Sequence, residues 1–570
     1  MKKIVAILLC LMAIGAGYYL WVQKKSATGQ YARYLPQDAV ATVSLTHLNT
    51  ITDTFAATAL GRFVAKDTVH AMMQEMRAQP RSIEAYDVLY DSIVKVMTNP
   101  AFRAVFGTDA ALALLPPDRS ALTQDPVGAL RSSLVVFATT AASGALDLFG
   151  TLAKSKTVTR ETIDGLELTK ITLEQNQVIY GYVDQQTVLL AYAPAAIKAC
   201  TAIRKTGASL DKTGIFQEAT AFWQPYPSER IFTRSFVNAT KLAELMKVAT
   251  NPEVKQMGEW MQGIESMVSL TYTTEQGLES RGRSKYRYDQ LHPLVKSAVD
   301  SAAKSNQSLS LLKEGSLAYN WASSLRPELL MKSLQASEQN QRQVDIAVRQ
   351  NLGISLDELG RAVGPQYGGV LDDIIKTGLF PVPKLTLFLE VRDRKIAETA
   401  LNGLRRKIGE YGVANEVKEA VAGNTIYSWP ILPGELAQPA MVLTDSMFYL
   451  ASSKQALKDI LTSTAPHNAL APPVTKQLGP EVSERIGRAN FSSFVLYPER
   501  MSRQTGDMIG WLADILAATK NISLSRFNRE FVQLMQATEL LVMTTNLTKE
   551  QVEWTMTLKA VQGQSAKSAQ

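Results

Sequence analysis

The sequence predicts an α+β protein: two tandem copies of a mostly antiparallel sheet with helices packed on one face, preceded by one N-terminal apolar helix. Three observations carry this expectation. An uncharged run near the start is long enough to cross a bilayer. Strand and helix patterns recur in the same order at offsets of roughly 250 to 277 residues. Hairpin and meander signals favour antiparallel pairing.

The first element is the run from Ile4 to Gln23, with Lys2 and Lys3 before it and Lys24 and Lys25 after it. About 20 apolar residues span the hydrocarbon core as a helix. Tyr18, Tyr19 and Trp21 stand at its distal end, where aromatic side chains favour the membrane interface. An uncleaved anchor is the favoured reading, because the run continues past the small residues Gly15, Ala16 and Gly17 to Val22. A signal peptide cut near those residues is the alternative. Leu9 before Cys10 argues against a lipoprotein signal. With so short an N-terminal tail, the simpler topology keeps it inside. Residues 4–23 then sit in the bacterial inner membrane. The rest forms a large extracytoplasmic part, periplasmic in a Gram-negative cell.

The exported part opens with Leu35-Pro-Gln-Asp-Ala-Val-Ala-Thr-Val-Ser-Leu45, and Leu312 to Ala322 has the same shape of polar turn, alternating strand and helix. Leu134–Thr140 matches Leu385–Val391, Glu161–Leu168 matches Glu419–Ile426, and Val188–Tyr192 matches Met447–Ala451. Two matches are literal. Ser228-Glu-Arg-Ile231 precedes Ser235-Phe-Val237, and Ser483-Glu-Arg-Ile486 precedes Ser493-Phe-Val495. The order is preserved throughout. The expected organisation is a signal anchor or signal peptide at 1–30, repeat units at 31–290 and 311–561, a polar linker at 291–310, and a disordered tail at 562–570. Within the first unit, Val178–Val183, a turn at Asp184-Gln-Gln186 and the strand from Thr187 form a hairpin. Gly207 is placed to cap the helix before it. Residues 66–100 and 326–360 are expected to be helical at corresponding places.

Composition narrows the function class. Apolar residues make up 46% and charged residues 20%, which is ordinary for a globular chain. A net charge of +7 over 570 residues permits an anionic partner without requiring one, and no nucleic-acid partner is expected. Only Cys10 and Cys200 are present, and the four histidines are scattered, so neither a disulfide framework nor a cysteine zinc site is expected. No cofactor is expected.

The basic start, the apolar run, the Tyr34-Leu-Pro-Gln-Asp38 opening before a strand and the later Leu60-Gly-Arg62 step carry a resemblance. The chain resembles a group of uncharacterised bacterial envelope proteins known only as a domain of unknown function. The resemblance implies the layout and no activity.

Several patterns are candidate sites. Ser-x-x-Lys occurs at Ser92/Lys95, Ser209/Lys212, Ser301/Lys304 and Ser310/Lys313, and Lys-Thr-Gly at 205–207, 212–214 and 376–378. A serine acyl-transfer site needs the serine at a buried helix start and the triplet on a facing strand. These serines fall within helices or polar stretches, so turn chemistry is the expected reading. Asp67 and His70, three apart on a helix, read as a surface pair. Two patches remain. Alternation along Arg281-Gly-Arg-Ser-Lys-Tyr-Arg287 puts Arg281, Arg283, Lys285 and Arg287 on one face. Such a row suits an anionic lipid, a glycan or an acidic protein; the competing and favoured reading is a charge-guarded edge strand. Phe222, Trp223 and Tyr226 form an aromatic contact loop or, in the favoured reading, a lid on a local core. The expected function is a membrane-anchored, extracytoplasmic binding or scaffold protein. The alternatives are an envelope hydrolase or transferase with a dispersed site, and a lipid carrier with a cavity between sheet and helices.

Overall fold

A computed structural model describes residues 30–139, 157–172, 177–300, 302, 305–325, 338–376, 381–412, 414–431, 438–505 and 523–561. The apolar run, the tail from Gln562, and Lys-Thr-Gly at 376–378 beyond Lys376 lie outside these residues. Among the described residues, no helix is long and apolar enough to cross a membrane.

The first half lays down β1 (Ala41–Thr46), β2 (Asp109–Leu114), β3 (Leu134–Thr139), β4 (Thr157–Ile163), β5 (Leu166–Thr172), β6 (Val178–Asp184), β7 (Thr187–Ala191), β8 (Ile231–Asn238), β9 (Ile264–Thr273) and β10 (Gly277–Tyr286). The second half follows with β11 (Ala318–Ser323), β12 (Val363–Lys376), β13 (Pro381–Val391), β14 (Val417–Val421), β15 (Asn424–Ser428), β16 (Ala440–Leu443), β17 (Met447–Ala451), β18 (Ser492–Leu496), β19 (Thr538–Leu547) and β20 (Gln551–Ala560). The helices that matter here are α1 (Pro80–Thr98), α2 (Pro100–Phe106), α3 (Pro194–Thr206), α4 (Gly214–Trp223), α5 (Arg394–Glu410), α6 (Lys454–Thr462), α7 (Pro480–Arg488) and α8 (Ser525–Gln536).

Among the described residues, the twenty strands join one continuous sheet, and every ladder in it is antiparallel. The halves meet where β10 pairs with β20, from Gly277↔Lys559 to Lys285↔Gln551. Outward from this joint, one side runs β10, β9, β8, β1, β2, β3, β7, β6, β5, β4. The other side runs β20, β19, β18, β11, β12, β13, β17, β16, β15, β14, which is the same order with every label raised by ten. At the joint the Trp554 ring lies across Gly282, where any Cβ would stand 2.3 Å from it.

The expectation of helices on one face is corrected. Leu189 and Ala191 of β7 face a core shared with Ile197 and Cys200 of α3. Val188 and Leu190 of the same strand face Val105 and Phe106 of α2. The second half repeats this arrangement. Ala440 and Val442 of β16 pack with Leu457 of α6, while Met441 and Leu443 pack with Leu401 of α5. Strands this continuously apolar are buried on both sides.

The literal matches are corrected as well. Ser228 and the two residues after it form the turn into β8, whereas Ser483–Ile486 lies inside α7. The Ser-Phe-Val triplets fall on β8 and β18 but one residue out of register. Phe236 stands opposite Thr42, while Val495 stands opposite Tyr319. Thr42 and Tyr319 hold the same place in strands of the same burial alternation. A one-residue slip changes the face; accordingly Phe236 is buried and Phe494 only partly so. Other expectations hold locally. Asp184↔Thr187 closes the two-residue hairpin, and Gly207 caps α3 at φ 72°. In the stretch read as a polar linker, Pro293–Asp300 is a helix, and Asn306 and Ser308 are buried against Tyr319.

Candidate functional site

A cleft of about 540 Å³ opens in the first half between the sheet and α4. Its floor is the helix-facing side of β1, β2, β3 and β8. Ser44 pairs with Ala111 on one side and Arg234 on the other, and Thr46 pairs with Asp109. Period-two geometry therefore sets Ser44, Thr46, Asp109 and Arg234 side by side on one face. The 3-10 turn Gln30–Tyr34 closes one wall, with Tyr31 against Phe137 at 6.2 Å between ring centroids. Trp223 of α4 closes another, its indole N–H donating to the Ser269 carbonyl at 3.0 Å.

Four charged residues line this cleft: Arg33 and Asp211, partly exposed and paired with each other at 3.8 Å, and the buried Asp109 and Arg234. Asp109 is 6% exposed and Arg234 is 7% exposed. Among the described residues neither side chain has a hydrogen bond or an ion pair within 4 Å, although each feels the other's field. Burial pushes the Asp109 carboxyl up to about 6, and Arg234 only partly opposes it. Burial also lowers the Arg234 guanidinium. The Tyr31 hydroxyl is raised by burial despite Ser44 and Thr42 beside it. Desolvating a charge is costly unless something pairs with it, so a buried and unpaired Asp–Arg couple lining a space is unusual chemistry.

The second half fills the same place. Trp321 stands where Ser44 does, pairing with Gly368 on β12 and Ser493 on β18. Ser323 pairs with Gln366 as Thr46 pairs with Asp109. Arg234 thus corresponds to Ser493, Asp109 to Gln366 and Thr42 to Tyr319. Trp321 and Tyr319 are both fully buried. The Trp321 indole N–H donates to Gln366 Oε1 at 3.0 Å, and the Tyr319 hydroxyl is held by Asn306 at 2.7 Å and Ser308 at 2.8 Å. Both aromatic residues are members of the core cluster, and both charges of the first half are replaced by neutral groups.

The aromatic loop read from the sequence borders this cleft. Phe222 and Trp223 end α4 rather than sit in a loop, and Trp223 is buried. Trp223 and Tyr226 line the cleft, with Tyr226 packed on Tyr272 at 4.9 Å.

The cationic row lies elsewhere, and its strand is not an edge: β10 is held between β9 and β20. Arg281 pairs with the buried Glu279 at 2.5 Å and with Glu481 at 3.0 Å. Lys285 pairs with Glu218 at 2.8 Å. Arg283 donates to the Glu218 carbonyl at 3.2 Å and lies over the Phe222 ring at 5.0 Å. A register shift between Lys285 and Tyr286 ends the alternation, and Arg287 pairs with Glu265 at 3.0 Å. Glu279 joins the halves. Its second oxygen accepts from Arg485 of α7 at 2.9 Å and from Thr557 of β20 at 3.2 Å, and the Tyr272 hydroxyl donates to its first. Burial opposes ionisation of Glu279, but Tyr272, Arg485 and Arg281 together outweigh it and hold the carboxyl below the usual range.

Where they are described, the serines and the histidine of the remaining motifs are engaged by neighbouring groups. Ser92 donates to the Val88 carbonyl within α1, Ser209 bonds Asp211, and Ser310 contacts His467. Ser301 and Lys304 lie outside the described residues. His70 is held by Asp87 at 2.7 Å rather than by Asp67. Among the described residues, no cluster of His, Cys, Asp or Glu could hold a metal ion. Asp109, Arg234 and Tyr31 do not stand out in the sequence. The available signal is a charge at an inward position of an apolar strand, as in Ile231-Phe-Thr-Arg-Ser-Phe236.

The model of a family described as a protein of unknown function, DUF3352, matches residues 3–475. No curated protein matches the chain. Two solved structures are similar in part. Crystal form III of TP0453 shares 7% identity over 46% of this chain and 81% of that one, at a TM-score of 0.23. Crystal form I shares 6% over 46% and 79%, at 0.22. With the family match covering most of its length, the chain belongs to the DUF3352 family.

Proposed function

We propose that this DUF3352 member is an extracytoplasmic, membrane-anchored binding protein of the bacterial envelope, built from two copies of one unit, in which the first copy carries the ligand cleft. The observation behind it is the contrast at one strand position. Ser44 leaves a space lined by Asp109 and Arg234 where Trp321 fills the second half. Common strand order supports the two copies, and the Lys-flanked run Ile4–Gln23 supports the anchor. The two buried charges favour a ligand with polar groups over a plain acyl chain. Arg281, Arg283 and Lys285 are engaged by the chain's own groups, so an anionic partner on that row is the weaker reading.

Two experiments test this. An enzyme active only outside the cytoplasm, fused after Gln570, is expected to be active and membrane-bound. An inactive fusion removes the topology, and activity wholly in the soluble fraction removes the anchor. For the cleft, Ser44→Cys in the full chain, with Cys10 replaced by serine, is expected to react with a small methanethiosulfonate far faster than Cys200, which is fully buried. Equal inertness of both thiols would close the cleft as an accessible site.

A further inference from the structure

The second half shows what the place can hold. There an indole lies on the strand floor, its N–H on the side-chain oxygen of Gln366. In the first half the indole is missing, Asp109 stands in place of Gln366, and Arg234 stands in place of Ser493. The acceptor is kept and gains a charge, and an opposite charge is added beside it. Aromatic surface remains around the space in Phe137, Phe216 and Trp223. At about 540 Å³ the space exceeds one aromatic side chain and suits a small amphipathic molecule.

Resting on the cleft reading above, we infer that the ligand is an aromatic zwitterion of amino-acid or dipeptide size, its ring in the position of the Trp321 indole, its ammonium on Asp109 and its carboxylate on Arg234. Each charge of such a ligand meets a protein charge that has no hydrogen-bonded partner among the described residues. Guanidinium–carboxylate pairing supplies directional hydrogen bonds, and the ammonium supplies three donors to Asp109. A ligand with only one charge leaves the other protein group buried and unmatched, which is the costly arrangement.

The test is equilibrium dialysis of the purified full chain against L-tryptophan, tryptamine, indole-3-acetate and decanoate. Tryptophan is expected to bind at least tenfold tighter than tryptamine or indole-3-acetate. Arg234→Gln is expected to bring tryptophan down to tryptamine, and Asp109→Asn to bring it down to indole-3-acetate. Ser44→Trp, which copies the second half, is expected to abolish binding. Should that variant misfold by circular dichroism, the two charge variants still decide. Equal binding of tryptophan and tryptamine, or of tryptophan and indole-3-acetate, by the wild type overturns the zwitterion. Decanoate binding that Ser44→Trp removes, with no indole compound bound, overturns the ligand class and leaves the cleft standing. No binding by any probe, together with an inert Ser44→Cys, overturns both.

Discussion

The two halves lay ten strands in one order, and at the same position of the same strand one has Ser44 and the other Trp321. Around Trp321 the neighbours are neutral, with Gln366 bonded to the indole and Asn306 to Tyr319; around Ser44 they include two buried charges that face a space. The contrast shows that an inward strand position is neutral ground between core and site. Side-chain volume decides which it becomes, because interiors are packed as densely as crystals and do not close over a missing ring.

The strongest way to break the comparison is to exchange the two residues. Trp321→Ser removes a fully buried indole and leaves Gln366 Oε1 with the Gln307 N–H as its remaining donor, and is expected to cost about 3–5 kcal/mol in thermal unfolding. Ser44→Trp is expected to cost less than about 1.5 kcal/mol, since the space exists already. Equal losses would mean that the cleft is not the counterpart of a core.

The joint gives the next comparison. Glu279 and Glu553 hold the third pair from opposite ends of the β10–β20 ladder. Glu279 is 4% exposed and pairs with two arginines, whereas Glu553 is exposed. Glu279→Gln is expected to destabilise by about 2–4 kcal/mol, because Arg281 and Arg485 lose their shared carboxylate. Glu553→Gln should change stability by less than about 0.5 kcal/mol. The Glu279 carboxyl is lowered on folding. Its contribution is therefore complete above the unfolded value of about 4.3 and is lost as pH falls through the lower folded value. Melts at pH 7 and pH 3 should show a larger loss in the wild type than in Glu279→Gln.

A smaller effect sharpens the cleft itself. Asp109→Asn gives the first half a neutral amide where the second has Gln366. Folding raises the Asp109 carboxyl to about 6, so the folded state holds more protons than the unfolded one between roughly pH 4 and 6. Wild-type stability from this group accordingly falls as pH rises through that window. The Asp109→Asn variant should be more stable than the wild type by about 1–2 kcal/mol at pH 7.5, after discounting for water in the cleft, and no more stable at pH 4. A variant less stable at pH 7.5 would mean that Asp109 has a partner. A small effect is also expected at the cationic row. Arg283→Gln with Lys285→Gln should shift stability by less than about 1 kcal/mol, since both groups are partly exposed. A strong loss of affinity for anionic liposomes in that double variant would revive the row as a binding surface.

Much of the local structure was legible. The Asp184–Thr187 hairpin, the Gly207 cap and the strand alternation at Ala41–Thr46 follow from turn chemistry and period-two patterning. The site was mostly illegible. Trp223 and Tyr226 stand out as aromatic residues, but nothing near them in sequence points to Asp109. Literal identity misled at Ser483–Ile486, where a helix uses letters that a turn uses at Ser228–Ile231.

The sequence by itself determined the apolar start, the antiparallel local units and which residues share a strand face. Those follow from backbone geometry, which each segment carries with it. Tertiary structure alone decided that β10 meets β20, that Glu218, Glu279 and Glu481 answer the cationic row, and that Asp109 and Arg234 share a cleft. Alternation states which way a side chain points. Which strand lies beside it depends on how the whole chain closes and packs, and that is where a buried charge is either paired or left facing a cleft.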